Sequence, residues 1–536
     1  MAADLVLYNG QILTGHLGPA AHPTAVAILH GRIVAVGDDD TVRPWIGRHT
    51  EVLNLNGRTV TPGFNDAHCH PMAVGHALRE VDARTPPLRT IDELVARIAE
   101  RARSTPPGTW IIARGYDQAR LAEGRHPSRT DLDRATTQHP VLLVRACGHI
   151  GVVNSQGLAL AGITATTPDP PGGTIDRDVH GEPTGVVREA ALEAVRRCIP
   201  EPTVEQIEEA LISAGRLFLS HGVTSVAEAG IGNAREFTAY QHLAQSGQLP
   251  VRTTLMVRIN DLFEPFAELG LRSGFGDHWL RIGPMKLFLD GSIGGRTARM
   301  SEPYLGTEDH YGLWTEDPAV LKQKIIRAHL AGYQCCAHAI GDAAIELLLD
   351  AYDEALALAP RPNHRHRIEH CSILRPDLLD RIARLNAIPI PGTTFLYDFQ
   401  EAYTAALPRE RLRYTYAMRT FFDRGIIAAA STDAPVCSTS ALLGIQTMVT
   451  RQNAKGATLW PEECITVLEA VRAYTYNGAY ATFEEHIKGT IEPGKLADLT
   501  ILETDLLRVA PTDIAAIKVD YTIIEGRVAY ERPGAA

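Results

Sequence analysis

The sequence has 536 residues, 45% of them hydrophobic and 21% charged, so it is too long for one ordinary domain and too apolar to be disordered. A formal net charge of -11 argues against nucleic acid as a partner, because binding to phosphates needs a basic surface. The first residues lack the basic start and apolar run of a secretory signal, and no stretch reaches about 20 apolar residues. We therefore expect a cytoplasmic protein that does not contact a membrane.

Both ends of the chain consist of short segments in which hydrophobic and polar residues alternate. Residues 1–60 contain DLVLYNGQIL, AVAILHGRIVAVG and EVLNLNGRTV, and the last 50 residues contain LADLTILE and KVDYTIIEGRVAYE. Their Asn-Gly and His-Gly pairs are typical of tight hairpin turns. Neither end alone has enough strands for a two-sided core. We therefore predict that residues 1–60 and 483–536 together form one small composite β-sandwich.

The middle of the chain, residues 61–482, alternates strands with amphipathic helical stretches, which indicates βαβ units and a parallel sheet. The strand candidates are TVTPGFNDAHCH, GVTSVAEA, VRTTLMVRI, IGPMKLFLD, YQCCAHA, HRIEHC, AIPIPGTT and GIIAAAST. Eight parallel strands close into a barrel. The predicted fold is therefore α/β, a (β/α)8 TIM-type barrel attached to the composite sandwich.

A long insertion separates the first two barrel strands, at about residues 77–202. It is rich in Gly and Pro in places, as in PDPPGGTIDRDVHGEPTG. This length exceeds a simple βα loop, and insertions of this kind lie on the catalytic face of a barrel. We expect the insertion to form a lid or wall over the substrate.

His68 and His70 lie one residue apart at the end of the first strand. Because side chains alternate along a strand, both point to the same face and can share one metal. The alternative is a chance pair, since the chain has 21 histidines.

His338 and His370 end the strands YQCCAHA and HRIEHC, each just before a helical stretch. Barrel enzymes place their chemistry at such strand ends, and neutral imidazole suits zinc or iron. Alternatively, His370 belongs to a basic run with His364 and His366 and has no function.

Asp433 follows the apolar strand GIIAAAST. At the end of the eighth strand it could bind a metal and accept a proton from the attacking water, which would make it the catalytic base. The alternative is a helix N-cap.

Lys286 lies within the apolar strand that contains PMKLFLDGS. Burial lowers the pKa of a lysine, and a neutral amine can react with carbon dioxide to form a carbamate whose two oxygens could bridge two cations. The alternatives are a lysine that reaches the barrel mouth or one that pairs with Asp290.

Together these motifs resemble the amidohydrolase superfamily, specifically its branch related to N-substituted formamide deformylases. The matching segments are TPGFNDAHCHP for His68 and His70, MKLFLDGSIGGRTA for Lys286, HAIGDAA for His338, RIEH for His370, STDAPV for Asp433, and IEPGKLADLTIL near the C-terminus. The insertion segments HPVLLVRACGHIGVVNSQGLALAGI and PGGTIDRDVHGEPTGVVRE are also similar to the branch. By this resemblance the substrate-binding candidates are Tyr116, Asp117, His149, Asn154 and Arg296; a structural role for the residues of the insertion is the alternative. After the seventh strand the branch often has Gln-Pro and a His, whereas this chain has PIPGTTFLYDFQ, so no substrate contact is carried over for that loop.

The resemblance implies two divalent metal ions, zinc or alternatively iron or manganese. His68 and His70 would hold the more buried ion and His338 and His370 the second, with carboxylated Lys286 and Asp433 completing the site. The expected reaction is attack by a metal-bound hydroxide on a non-peptide carbon-nitrogen bond of a small molecule, such as an N-substituted formamide or a cyclic amide. One alternative is a one-metal deaminase of a heterocyclic amine, and another is a non-catalytic regulatory protein on the same scaffold. The oligomeric state is left open by the sequence, and a homodimer, the commonest closed assembly, is one candidate.

Overall fold

The computed structural model describes residues 2–18, 23–146 and 148–535. The chain divides into two compact units: the residues up to Gly75 together with those from Ile207 onward form one, and His76–Gln206 form the other. Within the described residues, no helix combines the length and the apolar character needed to cross a membrane.

The N-terminal segment forms short strands and one helical turn. These are β1 (Leu5–Tyr8), β2 (Gln11–Ile12), β3 (Ala25–Leu29), β4 (Arg32–Gly37), α1 (Asp39–Val42), β5 (Glu51–Asn54) and β6 (Thr59–Pro62). Strands β4, β3, β1 and β5 form one sheet in that order. His30 and Gly31, at φ of 51° and 74°, close the β3–β4 hairpin, which confirms that predicted turn. The hairpins predicted at the two Asn-Gly pairs are wrong, because those turns join strands of different sheets.

The first barrel strand is shorter than predicted. The segment TVTPGFNDAHCH splits into β6 and β7 (Phe64–Cys69), which belong to different sheets, and α2 (Pro71–Arg79) follows. The break falls at Gly63, where an added Cβ would lie 2.2 Å from the Thr224 hydroxyl. Only glycine allows such a close approach of the backbone, so the strand changes sheets at this residue.

The unit His76–Gln206 has a mixed sheet of its own. Its elements are β8 (Val81–Asp82), α3 (Ile91–Ser104), β9 (Ile111–Tyr116), α4 (Arg129–Asp133), β10 (Val141–Arg145), β11 (Ile150–Val153), α5 (Ser155–Leu160), β12 (Gly173–Arg177), β13 (Pro183–Glu189) and α6 (Ala190–Arg196). The strand order is β12-β13-β11-β10-β9-β8. Neighbouring residues of β10 face opposite cores, Leu142 packing with Leu192 and Leu143 with Leu94. Each face of this sheet is therefore covered within the unit.

The larger unit contains a parallel barrel whose strands alternate with helices. After α7 (Val204–Ser220) come β14 (Val223–Ile231), α8 (Ala234–Gln245), β15 (Arg252–Arg258), α9 (Ile259–Glu268), β16 (Leu280–Phe288), α10 (Pro318–Leu330), β17 (Cys335–Ala339), α11 (Asp342–Leu358), β18 (Arg367–His370), α12 (Pro376–Leu385) and β19 (Ile388–Ile390). The sheet runs β7-β14-β15-β16-β17-β18-β19, and every neighbouring pair is parallel. The carboxyl ends of these strands therefore lie at one rim, as in a TIM-type barrel.

The eighth barrel segment, residues 426–433, is extended but irregular. On one side the amide of Ala429 donates to the carbonyl of Pro389 at 3.0 Å, and on the other the amide of Ala67 donates to the carbonyl of Ala430 at 3.2 Å. Strand β19 reads Ile-Pro-Ile, and its proline has no N–H to donate to a neighbour. The prediction of a regular eighth strand is wrong for this reason, and the barrel is nearly closed.

The C-terminal part adds helices and returns to the N-terminal strands. It comprises α13 (Phe395–Ala406), α14 (Met418–Asp423), α15 (Ala441–Thr450), α16 (Val467–Ala473), α17 (Tyr476–Ala481), β20 (Leu499–Leu502), β21 (Val519–Ile524) and β22 (Arg527–Glu531). Strands β2, β6, β20, β21 and β22 form one sheet. Leu7 and Ile28 of the first sheet and Ile501 and Ile523 of this one belong to the same apolar cluster. Both ends of the chain therefore contribute to one core.

Candidate metal centre

His68, His70 and Asp433 converge at the rim of the barrel. The Nε2 atoms of the two histidines lie 3.5 and 3.2 Å from the same Oδ1 of Asp433. Two backbone hydrogen bonds hold these residues close together. The amide of Asp433 donates to the carbonyl of His68, and the amide of His70 donates to the carbonyl of Ala434, both at 2.8 Å. One potential ligand atom from each of the three side chains falls within 4.8 Å of the others.

Asp66 is a buried carboxylate that the sequence analysis missed. It accepts hydrogen bonds from the Thr432 hydroxyl, from the Thr432 amide at 3.1 Å and from the His68 amide at 3.3 Å. Burial raises the pKa of Asp66 to about 7. Asp66 thus fastens the first strand to the eighth segment. Its position two residues before His68, on the same strand face, is a signal that could have identified it.

His338 and His370 lie on adjacent strands and complete a row of imidazoles. Their ring centroids are 4.5 Å apart, and the ring of His370 is 4.9 Å from that of His68. His338 Nε2 donates to the carbonyl of Gly291 at 2.9 Å, so its Nδ1 carries the lone pair that can bind a metal. Phe395, from the segment after the seventh strand, stacks on His370 at 5.8 Å.

Two of these residues adopt the left-handed backbone conformation. His370 has φ of 68° and Asp433 has φ of 56°. Non-glycine residues rarely adopt this conformation, and they keep it where the surrounding structure holds them. The kinks turn both side chains at the ends of their segments, which accounts for their convergence with residues from other strands.

Lys286 is 1% exposed, and among the described residues its Nζ has no hydrogen-bond partner. The alternative pairing with Asp290 is not observed: that carboxylate accepts backbone N–H groups of Arg299, Ile340 and Gly341. Burial lowers the pKa of Lys286, against the opposing charge of Glu369. Its Nζ also lies 4.9 Å from the centroid of the Phe288 ring. A buried amine without a hydrogen-bond partner among the described residues is costly to the fold.

The pKa values of His338 and His70 are shifted in opposite directions. Burial, followed by the charge of Lys286, lowers the pKa of His338 to about 4. Burial also lowers the pKa of His70, but hydrogen bonds to Asp433 and Glu228 outweigh it and raise the value to about 9. The pKa of Asp433 lies below its ordinary value because its interactions with His70 and His68 exceed the opposing effect of burial. A metal cation would replace the proton that His70 and Asp433 share.

Glu369 is a second buried carboxylate that the sequence analysis missed. Its Oε2 contacts Nδ1 of His68, and both of its oxygens accept hydrogen bonds from Arg367, at 2.7 and 2.8 Å. The Arg367 guanidinium also donates to the carbonyl of Ala67 at 2.7 Å. This ion pair therefore fixes the orientation of His68, whose Nε2 is left facing Asp433. Nothing in the local pattern RIEH reveals this role, because it depends on a residue 301 positions away.

Asn154, a predicted substrate contact, uses its side chain within the fold. It is buried, its Oδ1 accepts from the amides of Val141 and Gly157 at 2.9 and 3.0 Å, and its Nδ2 donates to the carbonyl of His139 at 2.9 Å. It is the N-cap of α5. These contacts favour a structural role for Asn154, and its role in substrate binding stays a prediction.

Replacing Asn154 with Ala should destabilise the unit His76–Gln206 by about 3 kcal/mol or more. Two buried N–H groups would lose their acceptor, and each such loss costs about 1–3 kcal/mol. Hydrogen exchange of amides 141–157 and urea unfolding measure the effect. His149→Ala is the control, since that imidazole is exposed and pairs with the exposed Glu189 at 3.0 Å; we expect it to change stability by no more than about 0.5 kcal/mol. Unaltered protection in Asn154→Ala would contradict the capping role.

The other predicted substrate contacts also have partners. The Tyr116 hydroxyl lies 2.9 Å from Nδ1 of His126, and Asp117 accepts from Arg145 at 2.9 Å. Arg296 has φ of 53° and donates to the carbonyls of Leu305 and Ala405, at 3.1 and 3.3 Å. A role of these residues in substrate binding stays a prediction.

The donor set fits a divalent cation. Imidazole nitrogens and carboxylate oxygens are the ligands of zinc, iron and manganese, and the unpartnered Nζ of Lys286 is the orphaned buried atom that such a centre would explain. Ligands of this kind at the carboxyl rim of a parallel barrel are typical of the active site of a metal-dependent hydrolase.

Comparisons with known proteins agree with this class. The model of the amidohydrolase family matches residues 51–530. The putative amidohydrolase YtcJ of Bacillus subtilis is 31% identical, over 98% of this chain and 99% of that one. N-substituted formamide deformylase of Arthrobacter pascens is 31% identical, over 99% of both. A crystal structure of an uncharacterized metal-dependent hydrolase from Pyrococcus furiosus superposes with a TM-score of 0.79 at 31% identity, covering 94% of this chain and all of that one. The chain belongs to the amidohydrolase family.

Another relative of similar identity has a name that gives no activity. Protein LONG AFTER FAR-RED 3 of Arabidopsis thaliana is 32% identical, over 99% of this chain and 92% of that one. Its name describes no reaction. Membership of the family therefore supports a general hydrolase role but does not identify the bond that is cleaved.

Proposed function

We propose that this protein hydrolyses a non-peptide carbon-nitrogen bond of a small molecule, an amide such as an N-substituted formamide or a cyclic amide. The observation that carries the proposal is the convergence of His68, His70 and Asp433, together with a buried lysine whose Nζ has no hydrogen-bond partner among the described residues. The family relationship, including the likeness to a formamide deformylase, supports the choice of bond.

In this proposal His68 and His70 would hold one divalent metal ion and His338 and His370 a second, and Lys286 and Asp433 would complete the site. Zinc is the first choice, with iron or manganese as alternatives. When bound, such ions supply Lewis acidity toward a carbonyl oxygen and make water a stronger acid at neutral pH.

Lys286 takes part as a carbamate. Its lowered pKa favours the neutral amine, whose nitrogen attacks the carbon of carbon dioxide. A nitrogen-carbon bond forms, one N–H proton is released, and the neutral amine becomes an anion with two oxygen ligands. This change adds a negative charge, which would attract metal cations.

Asp433 acts as the proton carrier. Its Oδ1 is held by His68 and His70, and its pKa lies below the ordinary value, so it is ionised and can accept a proton from the attacking water. The same oxygen then gives the proton to the leaving nitrogen, which departs as a neutral amine.

Metal analysis of the purified protein, combined with a screen of N-formyl, N-acyl and cyclic amides, tests the proposal. We expect two zinc equivalents per chain and hydrolysis of at least one amide class, with loss of turnover after chelation and recovery on adding zinc. A protein that binds metal but cleaves none of these amides would contradict the proposed substrate class.

A further inference from the structure

The two ring nitrogens of His70 face two different carboxylates. Nε2 lies 3.2 Å from Oδ1 of Asp433, and Nδ1 lies 3.6 Å from Oε1 of Glu228. Glu228 is near the end of β14, the strand next to β7, and is 1% exposed. The ring of His70 therefore lies between two carboxylates, with Asp433 near Nε2 and Glu228 near Nδ1.

The donors to Glu228 are neutral groups. Its Oε2 accepts from the Tyr240 hydroxyl at 2.7 Å and from the Met72 amide at 3.2 Å. Glu369, which contacts His68, is instead held by the guanidinium of Arg367. Burying a carboxylate costs several kcal/mol unless a positive group compensates for it. Arg367 does so for Glu369, whereas Glu228 faces Nδ1 of His70 at 3.6 Å.

We propose that Glu228 is a positioning residue for metal binding by His70. Its Oε1, 3.6 Å from Nδ1, favours the proton on that nitrogen by charge attraction, which leaves Nε2, the nitrogen nearer Asp433, with the lone pair for a metal ion. Its negative charge also makes that nitrogen a stronger ligand. The inference rests on the proposed function to the extent that His70 binds a metal ion, and it assigns a role to a residue outside the six ligand candidates.

Two substitutions separate this role from support of the fold. Glu228→Gln keeps the size of the side chain and an oxygen that can accept from Tyr240, but it removes the charge that faces His70. Tyr240→Phe keeps the carboxylate and removes one of the donors that hold it in place. The matched control is Glu463→Gln, because Glu463 is equally buried and accepts from Arg413 and Thr420, away from the histidines.

The experiment measures the zinc affinity of the full chain by competition with a chromophoric chelator, and the urea unfolding of the metal-free proteins. We expect Glu228→Gln to bind zinc about 10- to 100-fold more weakly. Tyr240→Phe should show a smaller loss in the same direction. Glu463→Gln should lose stability and keep the wild-type zinc affinity.

Wild-type zinc affinity in Glu228→Gln, with a stability loss like that of Glu463→Gln, would show a structural role and overturn the inference alone. If Glu228→Gln does not fold, Tyr240→Phe decides, and unchanged affinity there overturns the inference. A wild-type chain that binds no zinc would overturn the proposed function, and the inference with it.

Discussion

Lys286→Met should abolish turnover while leaving the metal-free protein as stable as the wild type, or more stable by about 1–3 kcal/mol. Turnover falls while stability is kept or rises, because the buried amine is needed by the active site but destabilises the fold. Its Nζ is buried without a hydrogen-bond partner among the described residues, and removing such a group relieves a penalty of this size. Methionine has a similar volume and fills the same apolar space. Metal content should fall below two equivalents, because the oxygens that the carbamate supplies are gone.

Urea unfolding of the metal-free proteins, metal analysis and turnover check this prediction together. Lys488→Met is the matched control: Lys488 is also buried, but it pairs with Glu484 and with the Ser225 hydroxyl, both at 3.0 Å. Its loss leaves Glu484 with one partner fewer and should lower stability. A Lys286→Met protein with two metal ions and full turnover would exclude the carbamate.

The ligand-bearing strands were predictable from the sequence because their signals are local. An apolar run that ends near a histidine shows both the strand and the residue at its carboxyl end, as for His338 in β17. The barrel then follows, since parallel strands with intervening helices bring such ends to one rim. The convergence of His68, His70 and Asp433 agrees with that expectation.

The supporting carboxylates were not predictable because their roles depend on distant partners. Glu228 and Glu369 resemble ordinary acidic residues of a strand, and only the closed barrel brings them to the rings of His70 and His68. Asp66 likewise meets Thr432 across 366 positions of the chain. The irregular eighth segment was missed for a different reason. Its own sequence is strand-like, but the neighbouring β19 contains a proline that cannot donate to it.

Asp433→Asn should lower turnover by about 10²- to 10⁴-fold, the usual contribution of a positioned acid or base. Asparagine preserves the shape of the side chain and the backbone bonds at this position but cannot accept a proton at neutral pH. The pKa of Asp433 lies below its ordinary value because of His70 and His68, so the carboxylate is ionised at neutral pH, and turnover should fall at low pH as it becomes protonated. This fall at low pH should be missing from the residual activity of Asp433→Asn.

The pH profile separates proton transfer from metal binding. Loss of a ligand would also reduce turnover, so metal content and turnover must be measured on the same samples of Asp433→Asn. Asp350→Asn is the control for the chemical change, since Asp350 lies on α11 and pairs with Arg381 at 2.7 Å; it should keep wild-type turnover. A variant with full metal content, reduced turnover and no fall of activity at low pH would assign the proton transfer to Asp433. If Asp433 only bound metal, its substitution would lower the metal content. Full metal with undiminished turnover would refute the role, and another group would then have to carry the proton to the leaving nitrogen.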